Sequence, residues 1–188
     1  DHLGATGALH VCDVAFGNLK DGFSIQGGST GTRIYNSIAT DNGLTTKEFA
    51  LWVDGGSTAG FVSNYNLFWN STSQAPVKFA NSTYPSVAAY SAASGQDAQS
   101  LQADPRFVNP AAGDFHLLAG SPAIDNGNSG SPSWPSLDAE VLPRFDDAAT
   151  GNAGVGPVAF SDRGALEFSV TAPPTTPCGI ANLVGNPS

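Results

Sequence analysis

The chain has 188 residues, 40% of them hydrophobic and 12% charged, with 22 Gly, 13 Pro and a formal net charge of −9. That is enough apolar material for one sizeable core, and a turn-rich, charge-poor palette points to an all-β protein rather than a helical bundle. Seven basic residues against 16 acidic ones argue against nucleic-acid binding, and no apolar run is long enough to span a bilayer.

The chain contains no Met and opens in mid-pattern on Asp1-His-Leu-Gly, which reads as an internal or processed piece. Three segments then align: Val11-Cys-Asp-Val-Ala-Phe-Gly-Asn18, Ile34-Tyr-Asn-Ser-Ile-Ala-Thr-Asp-Asn42 and Val62-Ser-Asn-Tyr-Asn-Leu-Phe-Trp-Asn70. Their recurrence at the length of one solenoid coil predicts stacked β-coils, with Asp13, Asn36 and Asn64 as a side-chain ladder. A second strand follows each segment, at Phe23, at Phe49 to Val53 and at Val77. Alternation predicts Phe23, Ile25, Phe49, Leu51, Val77 and Phe79 inward. Ser24, Ala50 and Lys78 then form one outward row, and Gln26, Trp52 and Ala80 the next. Cys12 falls in a strand-like apolar register, where a buried free thiol and a disulfide with Cys178 both remain open.

Beyond the third coil, the Ala-rich run from Tyr84 to Gly95 predicts one short helix, with Ser86 as N-cap and Gly95 as its stop. Next come Asp104-Pro-Arg-Phe-Val-Asn-Pro110, Gly113-Asp-Phe-His-Leu117 and Ser121-Pro-Ala-Ile-Asp-Asn-Gly127. A polar insert over residues 126–157 precedes Ser161-Asp-Arg-Gly-Ala-Leu-Glu-Phe168.

Together these runs resemble the C-terminal signature of secreted, pectate-lyase-like right-handed parallel β-helix proteins. That signature reads D-P-x-F-V-x-P, G-D-F-x-L, S-P-A-I-D-x-G and a closing D-x-G-A-x-E strand. The resemblance implies the C-terminal coils of a parallel β-helix, one short helix and an irregular cap over residues 1–170. A Pro/Thr-rich linker at 171–179 is then expected, followed by the start of a carbohydrate-binding-like domain at 180–188. It also implies an extracellular location and a polysaccharide or other glycan as partner.

The resemblance further implies polysaccharide lyase chemistry, in which a Lys or Arg takes a proton beside a carboxylate neutralised by calcium. Gly22-Phe-Ser-Ile-Gln-Gly-Gly28 is similar to the G-F-K-L-G-G stretch of one calcium-dependent pectate lyase family. Ser24 stands in place of its base and cannot do that job. The alternative is a non-catalytic adhesin, filament or surface-layer subunit, or glycan-binding solenoid, self-associating through an open coil end.

Four residues are candidate sugar contacts. Trp52 offers an apolar ring face and Lys78 a cation for a carboxylate, while Lys20 and Arg33 form a charged cluster near Asp21. His116 reads as a structural strand residue, and His2 and His10 lack a third metal ligand. Asp125, Asp138, Asp146, Asp147 and Asp162 concentrate acidity in the C-terminal part, where oxygen-rich loops suit a calcium ion.

Overall fold

The computed structural model describes residues 1–169; the expected linker and the start of a further domain lie outside them. The described residues are all-β apart from one short α-helix and a single 3-10 turn. Nine three-residue strands come in three passes. The first is β1 (Leu9–Val11), β2 (Val14–Phe16) and β3 (Phe23–Ile25). The second is β4 (Arg33–Tyr35), β5 (Ile38–Thr40) and β6 (Leu51–Val53). The third is β7 (Val62–Asn64), β8 (Leu67–Trp69) and β9 (Val77–Phe79). Each pass adds one parallel strand to each of three sheets, ordered β1-β4-β7, β2-β5-β8 and β3-β6-β9, the last extended beyond β9 by an antiparallel strand.

A sharp corner joins the first two strands of every pass. The register pairs Val11, Tyr35 and Asn64 before the corner and Val14, Ile38 and Leu67 after it. Cys12, Asn36 and Tyr65 therefore line up at the corner, each with left-handed φ, at 59°, 52° and 59°. The expected ladder of Asp13, Asn36 and Asn64 does not form. The row that stacks is Asp13, Ser37, Asn66 and Ser100, and the side chains of Ser37, Asn66 and Ser100 each accept from the main chain of the residue before them in the row. Asp13 N–H donates to Ser37 Oγ at 3.2 Å, Ser37 N–H to Asn66 Oδ1 at 2.9 Å and Asn66 N–H to Ser100 Oγ at 2.7 Å. Such bonds satisfy buried main-chain donors that a turn leaves outside the sheet ladder. The Asn18 amide does donate to Asn42 Oδ1, at 2.8 Å.

The interior is enclosed by the three sheets. Ile25, Ile34, Ala39, Leu51, Val53, Phe68 and Val77 meet there, at 1% exposure or less. Ala50 is also buried, so the expected outward row through it is not observed. The row is Ser24, Trp52 and Lys78. The helix α1 (Val87–Ser94) follows the antiparallel strand β10 (Ser82–Tyr84) and sets Val87 and Tyr90 into this interior. Ser86 caps it by accepting from Ala89 N–H, and Gly95 ends it at φ 73°.

The second sheet is covered on both faces. Its outer face presents Val14, Ile38 and Leu67. These pack against the hairpin of β11 (Phe107–Asn109) and β12 (Asp114–Leu117), and against Ile124 and Phe168. The closing segment thus runs lengthwise across all three passes, while α1 covers the interior beyond the last one. Residues 161–168 form no strand, contrary to the expected closing strand. They are held by side chains and isolated bonds, such as Gly164 N–H to Asn36 O at 2.7 Å.

Candidate functional site

Two places on the outer surface bring together groups able to contact a ligand. The first is the row foreseen from the sequence. Trp52 and Lys78 are neighbours on adjacent strands, and the Lys78 amine sits 4.4 Å from the indole centroid and 5.8 Å from that of Phe49. This cation–π contact is worth about 0.5–1 kcal/mol at an exposed site, and it occupies one ring face that a sugar would use. Among the described residues Trp52 Nε1 is buried without a hydrogen-bond partner. The other two candidates do not join this row. Lys20 lies between β2 and β3, 4.0 Å from Glu48 Oε1. Arg33 sits on β4 of another sheet, between Leu9 and Val62. Asp21 is buried and accepts from Phe49 N–H at 2.9 Å, so it serves the fold.

The second place was not foreseen. The row Phe16, Thr40 and Trp69 runs along the outer face of the second sheet, and the segment after Asp104 folds over against it. Between them lies a groove of about 370 Å³ to which Asp41, Asp104 and Arg106 also contribute. That is within the roughly 300–1,000 Å³ typical of small-molecule sites. Its polar groups are held in place. Asp41 Oδ1 accepts from Ser71 N–H at 2.6 Å, Asp104 Oδ1 from Arg106 N–H at 2.8 Å, and Arg106 Nη1 donates to Gly120 O at 3.0 Å. Phe16 is steadied edge-on by Phe115, at 5.7 Å between centroids. The signal available in the sequence was Phe16 and Trp69 at matching places in two repeats.

His116 is not a bystander on its strand. Its ring bridges Asp114 Oδ1 at 2.7 Å and Glu140 Oε2 at 3.3 Å, tying the hairpin to the insert. Burial works against the charged ring, but the two carboxylates outweigh it and raise the His116 pKa. Cys12 is a buried free thiol whose pKa is pushed up by burial to about 11, so it is a poor nucleophile; Cys178 lies outside the described residues.

Arg144 of the insert and Glu167 of the closing segment form a buried ion pair at 2.6 Å. Burial, and then the charge of Glu167, pushes Asp162 upward, and burial pushes Glu167 the same way against Arg144. Among the described residues no three His, Cys, Asp or Glu side chains converge as a metal cluster, and no helix is long and apolar enough to cross a membrane.

No protein-family model matches the chain, and no curated protein or solved structure matches it.

Proposed function

We propose that this chain is a secreted carbohydrate-binding protein whose three parallel sheets form a right-handed parallel β-helix, and that it holds a glycan in the groove between Phe16 and Trp69. The observation that carries this reading is the pair of aromatic side chains on one outward row, two rungs apart and flanked by fixed carboxylates. Rungs are spaced by about 4.8 Å, so the rings stand roughly 10 Å apart along the row. Aromatic faces stack on the apolar faces of sugar rings, and carboxylates such as Asp41 and Asp104 accept from sugar hydroxyls. A glycan rich in hydroxyls fits the groove better than a polyanion, given the −9 net charge of the chain.

A second reading is eliminative cleavage of an acidic polysaccharide, and one observation favours it. Arg106 lines the same groove as Asp41 and Asp104, which joins a cationic group to carboxylates able to hold calcium.

Both readings are tested by titrating the protein with a panel of neutral and acidic oligosaccharides, with and without calcium, while following unsaturated products. Binding that weakens about ten- to hundredfold in Trp69→Ala supports the groove, since stacking and burial of one such ring contribute about 1.5–3 kcal/mol. Trp69 also packs on the core, so exposed Asp104→Ala serves as the second variant and should weaken binding without lowering the melting temperature. No binding across the panel overturns the proposal, and unsaturated products transfer it to the lyase reading.

A further inference from the structure

Phe16, Thr40 and Trp69 stand side by side on successive passes, so the groove that they line climbs the stack one rung at a time. Its opposite wall is the segment after Asp104, which contributes Arg106, Pro110 and Leu118. A ligand held between the two walls runs from pass to pass, across the strands and not along them. The three rungs are not alike. Phe16 and Trp69 carry flat rings and are half-buried, whereas Thr40 carries none and is 3% exposed. The aromatic platforms therefore recur on every second rung, a repeat of roughly 10 Å.

The middle rung is polar instead. Asp41 follows Thr40 in a left-handed conformation, with φ 53°, and its N–H donates to Trp69 O at 3.1 Å. Its Oδ1 accepts from Ser71 N–H at 2.6 Å, and among the described residues Oδ2 has no partner. The carboxylate is thus held in place with one oxygen left to accept from a ligand hydroxyl beside the rung that lacks a ring.

We propose that the groove takes a linear, neutral, β-1,4-linked glycan laid along the stack, with alternate sugar rings on Phe16 and Trp69 and the ring between them over Thr40, where Asp41 accepts from its hydroxyls. This rests on the glycan reading above and adds a chain shape to it. In an extended β-1,4-linked chain each ring is turned over relative to the last, so every second ring offers the same apolar face at a repeat of roughly two rungs. That matches two aromatic platforms separated by a rung without one. An α-1,4-linked chain of the same sugar curves, and cannot lay the same face on both rings. A chain with a carboxylate on each ring would set like charge against Asp41 and Asp104, and the one guanidinium of the groove is already tied, from Arg106 Nη1 to Gly120 O at 3.0 Å.

The experiment titrates the full chain, by calorimetry, with β-1,4-linked and α-1,4-linked glucose oligomers of increasing length, from the dimer upward. In the β-linked series affinity should rise about tenfold from the dimer to the trimer, when the second aromatic ring is reached, and level off beyond it. The α-linked series should bind about tenfold more weakly or worse. Phe16→Leu keeps an apolar side chain against Phe115 and removes the flat face. It should abolish the gain at the trimer and leave the dimer affinity within about twofold of the parent's, with the melting temperature measured alongside to separate a lost fold from a lost contact. The two series on the parent decide the matter even where that variant fails to fold. Equal affinity for the two series, or no gain at the trimer, overturns the proposal and leaves the groove reading standing. No binding by the β-linked series overturns it as well, and the groove reading then stands or falls on the other members of the oligosaccharide panel.

Discussion

Arg163 is buried, at 1% exposure, and faces no carboxylate within ion-pairing distance among the described residues. Its guanidinium instead ties together three distant parts of the chain. Nε donates to Asn126 O at 2.7 Å, Nη1 to Asn66 O at 2.7 Å, and Nη2 to Gln99 O and Asn126 Oδ1, both at 2.9 Å. The ring of Tyr65 lies 5.6 Å away. Asn66 stands at the corner of the third pass, Gln99 follows α1, and Asn126 opens the insert, so one side chain joins the closing segment to the sheets. Burial lowers the Arg163 pKa to about 10, which leaves it charged at neutral pH.

Replacing Arg163 by Met keeps the volume and removes every donor. Asn66 O keeps its bond from Leu101 N–H at 2.8 Å. Gln99 O, Asn126 O and Asn126 Oδ1 lose their partner. An acceptor cut off from water and left unmet costs about 1–3 kcal/mol, though Gln99 is exposed and Asn126 half-buried, so water meets part of the loss. Burying the cation has its own cost, which Met relieves in part. A net loss of about 3–5 kcal/mol follows, which for a chain of this size is a fall of roughly 6–20 °C in melting temperature. Thermal unfolding followed by circular dichroism reads it directly. Arg163→Lys keeps the charge but not the fork, and should fall between the two. A melting temperature within about 2 °C of the parent would refute the claim that this residue bolts the closing segment in place.

Gly22→Ala should cost about 1–3 kcal/mol. The added Cβ would lie 2.7 Å from Ala50 O, a main-chain atom that cannot swing aside; a urea midpoint equal to the parent's would rule this out. His116 makes a pH-dependent contribution. Because its folded pKa is raised above the ordinary 6.5, the stabilisation is fully present below that value and is lost as pH rises through the folded pKa. The difference in melting temperature between the parent and His116→Gln should therefore shrink from acidic to alkaline pH, and a difference independent of pH would count against the bridge to Asp114 and Glu140.

The sequence by itself determined the local architecture. Period-2 alternation is a property of neighbouring residues, so Phe23, Ile25, Leu51 and Val77 could be read as inward directly, and Phe79 packs half-buried against them; Phe49, also expected inward, instead lies half-buried beside Lys78. The helix was legible for the same reason, because Ser86 and Gly95 act within one turn of it. Register was not. The corner takes a left-handed residue at Cys12, Asn36 and Tyr65, three side chains with nothing in common, so counting from the β-branched residue before each corner slips by one or two positions. Only tertiary structure decided the rest. The groove needs Phe16 and Trp69 from two different passes and Arg106 from the segment after α1. Arg163 acquires its role from partners far along the chain. Such contacts depend on where the closing segment lies against the second sheet, and no local pattern encodes that placement.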